Sequence, residues 1–296
     1  MIDVSVILVN YNTKELLRQC LDSLRAKSES LDIEIIVSDN HSNDGSIEML
    51  EAEYKEVILI KNKDNLGFGK ANNIAINVAK GKYLFLLNTD TYLMNDALKI
   101  LWEFMEDDNN KDVACCGADL FKPNGERQAS FGNFPSIFDA ISQLGFYKIY
   151  KNYYDKHIAG GVLNYDEKVK TVDYLCGADM FLRKCIMDTI GYFDEDFFLY
   201  FEETEMSYRI KKNGYKSVLV PLAKIVHLEG GSQLENRINF FKVKEFSKSR
   251  SLYFKKTRGR LHSLIIKYIY VLQSILLFLS KGSVDHLKVA KIVYKT

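Results

Sequence analysis

Short apolar runs rich in β-branched residues recur through the first half of the chain, and between them apolar positions return every three or four residues. The runs are VSVILV (4–9), IEIIVS (33–38), VILI (57–60), YLFLLN (83–88) and VACCGA (113–118). Short and nearly continuous in apolar character, they read as strands buried on both faces. The stretches between them read as helices: one from about Thr13 to Lys27, one after Asp44-Gly45-Ser46, one over GKANNIAINVAKG closed by Gly81, and one from Asp96 to Asp107. This βαβα alternation predicts an α/β fold with a mostly parallel sheet flanked by helices. Polar clusters follow three strands directly: Asn10-Tyr11-Asn12, Asp39-Asn40-His41 and Asn88-Thr89-Asp90. Ligands of open α/β sheets bind at the carboxyl ends of the strands, so these clusters predict a site there.

The second half is less regular. LFKPNGERQASF (120–131) reads as a hairpin around Asn124-Gly125. Residues 136–165 lack periodicity and admit two readings, an acceptor-facing segment or a plain surface excursion. Strands are expected at 177–184, 215–221 and 224–228. Between them, FFLYFEETEMSYRI (197–210) sets Glu202, Glu203 and Glu205 directly after a run of aromatics. Met206 and Ile210 share one helix face, and Gly214 suits the position after the helix end. Acidic residues in a first turn complement the helix dipole, and Glu205 with Arg209 makes an i,i+4 pair. That accounts for Glu205 better than for Glu203, which sits where a desolvating aromatic wall would raise a carboxyl pKa and make it a base.

Beyond residue 240 the pattern changes, which divides the chain into 1–240 and a helical tail, 241–296. KSRSLYFKKTRGR (248–260) is basic. LHSLIIKYIYVLQSILLFLSKG (261–282) is apolar except for a narrow stripe of Ser263, Lys267, Tyr270, Ser274 and Lys281, and VDHLKVAKIVYK follows. A basic segment before amphipathic helices reads as attachment to an anionic membrane surface. The alternative is a helical pair packed on the first domain or in a homodimer. A net charge of +1 argues against a nucleic-acid partner. The 5 cysteines show no metal-ligand spacing and read as reduced, buried thiols. The first apolar run is too short for a signal peptide, so a cytoplasmic chain is expected.

A carboxylate fixed after a buried strand, as in Asn88-Thr89-Asp90, suits a hard divalent cation, although Asn and Asp are equally common in turns. NKDNLGFGKANN (62–73) is a glycine-containing loop leading into a helix, a geometry that exposes N–H groups to phosphate or ribose. Taken in order, SVILVNYN, VSDNHSNDGS, NLGFGKANN, LLNTDT, CGADMFLRK, FDEDFFLYFEETEMSYRIKKNGY and VHLEGGS resemble the GT-A fold of glycosyltransferase family 2 over roughly residues 4–232. N-x-D in place of D-x-D points to the rhamnosyltransferase-like branch.

The resemblance implies a Rossmann-like nucleotide-diphospho-sugar transferase fold with a C-terminal helical extension. It implies an inverting transfer, in surface polysaccharide assembly, from a dTDP- or UDP-linked sugar to a glycan or lipid-linked acceptor at the inner face of the membrane. Asp39 matches the nucleobase-contacting acid, and Asn10, Asn12, Asn40, Gly67, Asn73 and Asn88 accompany it at the donor. Asp90 and His227 match the ligands of Mn²⁺ or Mg²⁺, the mixed N/O set leaning to Mn²⁺. Gly177, Ala178 and Asp179 fall beside sugar or acceptor, the alternative being a tight strand end where only small residues fit. Glu203 matches the general base, with Glu202 its neighbour and Glu205 in reserve, and Glu stands where the family usually has Asp. A sugar-phosphate nucleotidyltransferase would want a glycine-rich basic loop where this chain has NYNTKE, and a non-catalytic sugar-binding protein is the remaining alternative.

Overall fold

A computed structural model describes residues 2–28, 30–228 and 238–296. Four parallel strands, β1 (Val4–Asn10), β2 (Ile33–Asp39), β3 (Ile58–Lys61) and β4 (Tyr83–Leu87), alternate with helices α1 (Lys14–Lys27), α2 (Ser46–Glu53) and α3 (Phe68–Ile76). Then come β5 (Thr91–Leu93), α4 (Ala97–Glu106), β6 (Val113–Phe121), β7 (Phe131–Gly132), α5 (Ile137–Ser142) and α6 (Lys151–His157). The sheet unit closes with β8 (Lys170–Val172), β9 (Tyr174–Leu175), β10 (Asp179–Arg183), α7 (Lys184–Ile190), α8 (Glu202–Lys212) and β11 (Lys216–His227). Three helices follow: α9 (Phe240–Arg258), α10 (Arg260–Lys281) and α11 (Val284–Lys295).

The main sheet runs β3-β2-β1-β4-β10-β6-β11-β5, with β8 added beside β11. β10 is antiparallel to both neighbours and joins the parallel first half to the β6–β11 pair. Side chains alternate across a strand, so β1 feeds two cores. Val4, Val6 and Leu8 pack with Leu17, Leu21 and Leu24 of α1 and Leu98 and Leu101 of α4. Ile7 packs on the other face with Ala75 and Ile76 of α3, Met187 of α7, and Met206 and Ile210 of α8. Each fully buried Leu or Ile contributes about 1.5–3 kcal/mol relative to exposure.

Three expectations change. α3 stops at Ile76, and Gly81 is no cap: a Cβ there would lie 2.4 Å from the Ser5 nitrogen, so glycine is what lets the chain pass against β1. The two late runs are one strand, β11, interrupted by a register shift between Val220 and Lys224 where Pro221 sits. Proline removes a ladder donor and is tolerated at such a bulge. Past the bulge β11 pairs antiparallel with β5, and His227 stands opposite Thr91. Residues 136–165 hold two short helices, α5 and α6, too brief for a periodic pattern to reveal.

The C-terminal helices pack on the sheet unit. Tyr253 and Phe254 of α9 and Ile266 of α10 form a third core with Ala140, Phe197 and Phe201. Ser249 Oγ donates to the Leu199 carbonyl at 2.8 Å. α10 turns its expected polar stripe partly inward: Ser263 Oγ donates to the Ser251 carbonyl at 2.8 Å, and Ser274 is buried. Its outer face carries Leu261, Leu264, Tyr268, Leu272, Ile275 and Leu279, at steps of three and four, all exposed.

Candidate active site

The carboxyl ends of β1 and β2 are knit together. Asn10 Nδ2 donates to Asp39 Oδ2 at 2.7 Å and to Ser42 Oγ at 3.0 Å, and the Ser42 amide donates to Asp39 Oδ1 at 2.8 Å. Asn10 and Asp39 are fully buried. Asp39 therefore organises the turn after β2, with both carboxylate oxygens satisfied within the chain, and offers no surface to a nucleobase in this arrangement. Asn12 is exposed in a left-handed conformation (φ 54°) and holds the Asn43 amide at 2.8 Å.

The glycine-containing loop also departs from expectation. Gly67 N–H donates to Asn65 Oδ1 at 3.0 Å and Phe68 N–H to the Phe198 carbonyl at 3.0 Å, so neither is free for phosphate. Asn40 Nδ2 donates to the Gly67 carbonyl at 3.1 Å. Gly67 has φ +84°, and a Cβ there would meet the Phe198 carbonyl oxygen at 2.3 Å. Glycine is needed because this loop lies directly on the aromatic segment before α8. Asn73 is likewise internal: its amide bridges the Phe193 carbonyl (2.9 Å) and amide (3.2 Å).

Asp90 and His227 do meet. The β5–β11 pairing brings His227 Nε2 to 3.4 Å from Asp90 Oδ1, both side chains about 15% exposed or less. The Leu228 amide donates to the Asp90 carbonyl at 2.8 Å, which fixes the two backbones. The other ring nitrogen, Nδ1, is buried without a hydrogen-bond partner among the described residues. One carboxylate and one imidazole are donors that would suit a Mn²⁺ or Mg²⁺ ion. No cluster of three potential ligands exists among the described residues, so those residues alone would not complete the shell. The Glu229-Gly230-Gly231-Ser232 part of the late motif lies outside the described residues.

The acidic segment begins with two strained residues. Tyr200 and Phe201 both hold positive φ (69° and 67°), which costs non-glycine residues roughly 1–2 kcal/mol each. Packing of Phe201 against Tyr253 and Phe246 holds them there. The turn brings both Glu202 and Glu203 to the lining of a cavity of about 390 Å³. Gly177 lies against Glu203: a Cβ there would sit 3.5 Å from Glu203 Cγ, in ordinary contact. Glu203 Oε1 accepts from Thr204 Oγ at 2.9 Å. Burial pushes the carboxyls of both Glu202 and Glu203 up, and the charge of Glu203 pushes Glu202 further. Glu202 Oε2 has no hydrogen-bond partner among the described residues, as suits a carboxyl that keeps its proton.

Glu205 is not a reserve base. It is buried, it does not line the cavity, and both its oxygens accept from Arg209 Nε at 2.9 Å. Arg209 in turn holds the carbonyls of Ile190, Gly191 and Tyr192. Asp179 is also structural. Fully buried in β10, it accepts from the Ala118 amide of β6, and burial raises its pKa well above the carboxylate range. Ala178 and Gly177 line the cavity with Asn88 and His227. Cys176 lines it too, but burial lifts its thiol to about 12, which rules out a ready thiolate.

The far wall comes from residues the sequence reading left in the surface tail or in the irregular segment. Phe246, Arg250 and Phe254 of α9, Ile266 and Tyr270 of α10, and Asp139 of α5 all line the cavity. Arg250 sits within a basic run that reads as surface, yet it is buried. Only its i,i+4 placement with Phe246 and Phe254 hinted at an inward face.

A parallel first half, an antiparallel strand joining it to a second half, and an acidic helix start opening on the seam are the architecture of GT-A glycosyltransferases. The profile of Glycosyl transferase family 2 matches residues 5–163, more than half of the chain, which therefore belongs to that family. An uncharacterized glycosyltransferase of Methanocaldococcus jannaschii is 29% identical over 180 residues, 58% of this chain and 62% of its own length. The chain thus spans less than two thirds of that relative. N-acetylglucosaminyl-diphospho-decaprenol L-rhamnosyltransferase of Mycobacterium tuberculosis is 25% identical over 237 residues, 75% of each chain. Among solved structures, GalNAc-T7 with UDP, GalNAc and Mn²⁺ superposes with a TM-score of 0.62 at 16% identity, covering 100% of this chain and 55% of that one.

Proposed function

We propose that the chain is a divalent-metal-dependent, inverting glycosyltransferase that moves a sugar, rhamnose being the leading candidate, from a nucleotide diphosphate to a glycan or lipid-linked acceptor. The observation that carries this reading is the juxtaposition of Glu203, Gly177, Asn88 and His227 on one cavity, with Asp90 3.4 Å from His227. Asp90 and His227 would hold Mn²⁺ or Mg²⁺, which neutralises diphosphate charge as the leaving group departs. Glu203 takes the proton of the acceptor hydroxyl as its oxygen bonds to the anomeric carbon. The bond from that carbon to the diphosphate oxygen breaks, and the nucleoside diphosphate leaves. A carboxyl raised by burial is a stronger base than a solvated one, so activity should climb with pH through that raised value.

The relative acting on a diphospho-decaprenol substrate supports a lipid-linked acceptor and rhamnose, and the Mn²⁺ and UDP of the solved neighbour support the donor side. The outward apolar stripe of α10 supports residence at a membrane surface. That helix has the length and hydropathy (1.8) of a span, and only 11% of its apolar window is buried.

The test is a pair of variants assayed by transfer and by donor binding. Glu203→Gln should lower transfer by about a hundred- to ten-thousandfold with donor affinity nearly unchanged. His227→Ala should weaken donor binding only when Mn²⁺ is present. Full transfer by the Glu203→Gln protein, or full activity in excess chelator, would overturn the reading.

A further inference from the structure

The cavity holds a second charged side chain, on the wall that the tail supplies. Arg250 is 7% exposed, and its guanidinium lies 3.4 Å from the centroid of Tyr270 and 5.7 Å from that of Phe246. Among the described residues no carboxylate forms an ion pair with it. Asp139 is the acidic group that acts on it, from α5 across the same cavity. That carboxyl is itself pushed toward its neutral form by burial while it accepts from Tyr154 Oη at 2.8 Å. A guanidinium keeps its charge in any protein environment. Burying it beside aromatic rings, short of a full counter-charge, is costly unless an anion arrives with a ligand.

We infer that Arg250 binds a phosphate group of the acceptor, the group linking the accepting sugar to the rest of that molecule. The inference rests on the proposed reading of the cavity as the acceptor site. Its chemistry favours phosphate over carboxylate. A carboxylate entering a desolvated space already walled by Glu202, Glu203 and Asp139 would take up a proton, as those groups tend to, whereas a phosphate ester stays ionised. The guanidinium fork matches two phosphate oxygens.

The wall supplies a group for each part of such a molecule. Gly177 and Glu203 would meet the sugar, Arg250 the phosphate, and Phe246, Phe254 and Ile266 an apolar continuation. Phe138 and the outer stripe of α10 add exposed apolar surface on α5 and α10, the same two helices that supply Asp139, Ile266 and Tyr270 to the cavity. The phosphate could belong to a lipid carrier or to a soluble phosphosugar, and the probes below separate these sources.

Binding to the full chain is measured by titration calorimetry with farnesyl phosphate, farnesol and glucose 1-phosphate. UDP with Mn²⁺ serves as a control for the donor side. Farnesyl phosphate should bind the wild type about ten- to hundredfold more tightly than farnesol, the range for a hydrogen-bonded charge. Arg250→Gln should abolish that difference while UDP with Mn²⁺ still raises the Tm, and Arg250→Lys should keep part of it. Tight glucose 1-phosphate binding that Arg250→Gln removes would support the anion site and assign it to a soluble acceptor. Equal affinity of Arg250→Gln and wild type for both phosphates would overturn the inference, as would equal wild-type binding of farnesyl phosphate and farnesol. Glu203→Gln should bind farnesyl phosphate as the wild type does, so an active Glu203→Gln protein would sink the base assignment and leave the phosphate site standing.

Discussion

Three carboxylates one turn apart carry three different fates, set by what each side chain touches. Glu205 is clamped by Arg209, Glu203 faces the cavity, and Glu202 is buried with an oxygen that finds no partner among the described residues. The raised pKa of Glu202 has a consequence for stability. The native state keeps a proton that the unfolded chain releases near the ordinary value of 4.5. That contribution is full below the ordinary value and is lost as pH climbs through the native one. Glu202→Gln keeps the neutral shape, so its Tm should gain on the wild type as pH rises from the ordinary carboxyl value through the raised native one. Thermal melts at both ends check this, and a pH-independent Tm difference would refute it. Sequence spacing identified Glu205 with Arg209 as a helix pair, because i,i+4 geometry is local. It misassigned Asp179, because whether a strand-end carboxylate faces a ligand or the neighbouring strand depends on β10 lying antiparallel beside β6.

At the scale of elements, the start of α3 and the approach to α8 lock one another. Gly67 sits against the Phe198 carbonyl, and the Phe68 amide bonds to it. Gly67→Ala would strain a positive φ and push on that carbonyl. It should cost roughly 1–3 kcal/mol and loosen Tyr200 and Phe201, so transfer should fall more than donor binding does. Urea denaturation with parallel kinetics checks this, and wild-type stability would refute the lock. The strands of the first half were legible because buried parallel strands write continuous apolar runs. The lock was not, since a glycine-rich loop before a helix looks the same whether its N–H groups face phosphate or the chain's own backbone. β11 read as two strands for a comparable reason, as Pro221 marks a bulge as well as an end.

At the scale of the whole molecule, the tail is both part of the site and part of the surface. The sequence suggested a choice between a packed helical pair and a membrane-facing one. α9 is packed, and the outer side of α10 is apolar and open. Composition could not separate these faces, because Tyr270 and Ser274 turn inward while leucines turn outward. If the stripe meets lipid, Leu264→Ser combined with Leu272→Ser and Leu279→Ser should abolish flotation with anionic vesicles and leave the Tm within a few degrees, about the change expected of surface positions. Unchanged flotation would refute the membrane role.

The pairing of Asp90 with His227 also bears on how the molecule comes into being. The two residues stand at opposite ends of the middle of the chain, and they meet only once β11 has bent at Pro221 and closed on β5. Local contacts form before distant ones, so the parallel first half is expected to assemble while later residues are still being added. A ribosome must deliver residue 227 before any cation could be gripped from both sides. On the proposed reading, a half-made chain would therefore hold nucleotide sugar weakly, and a cation captured at completion would bind the folded state alone and strengthen the β5–β11 pairing.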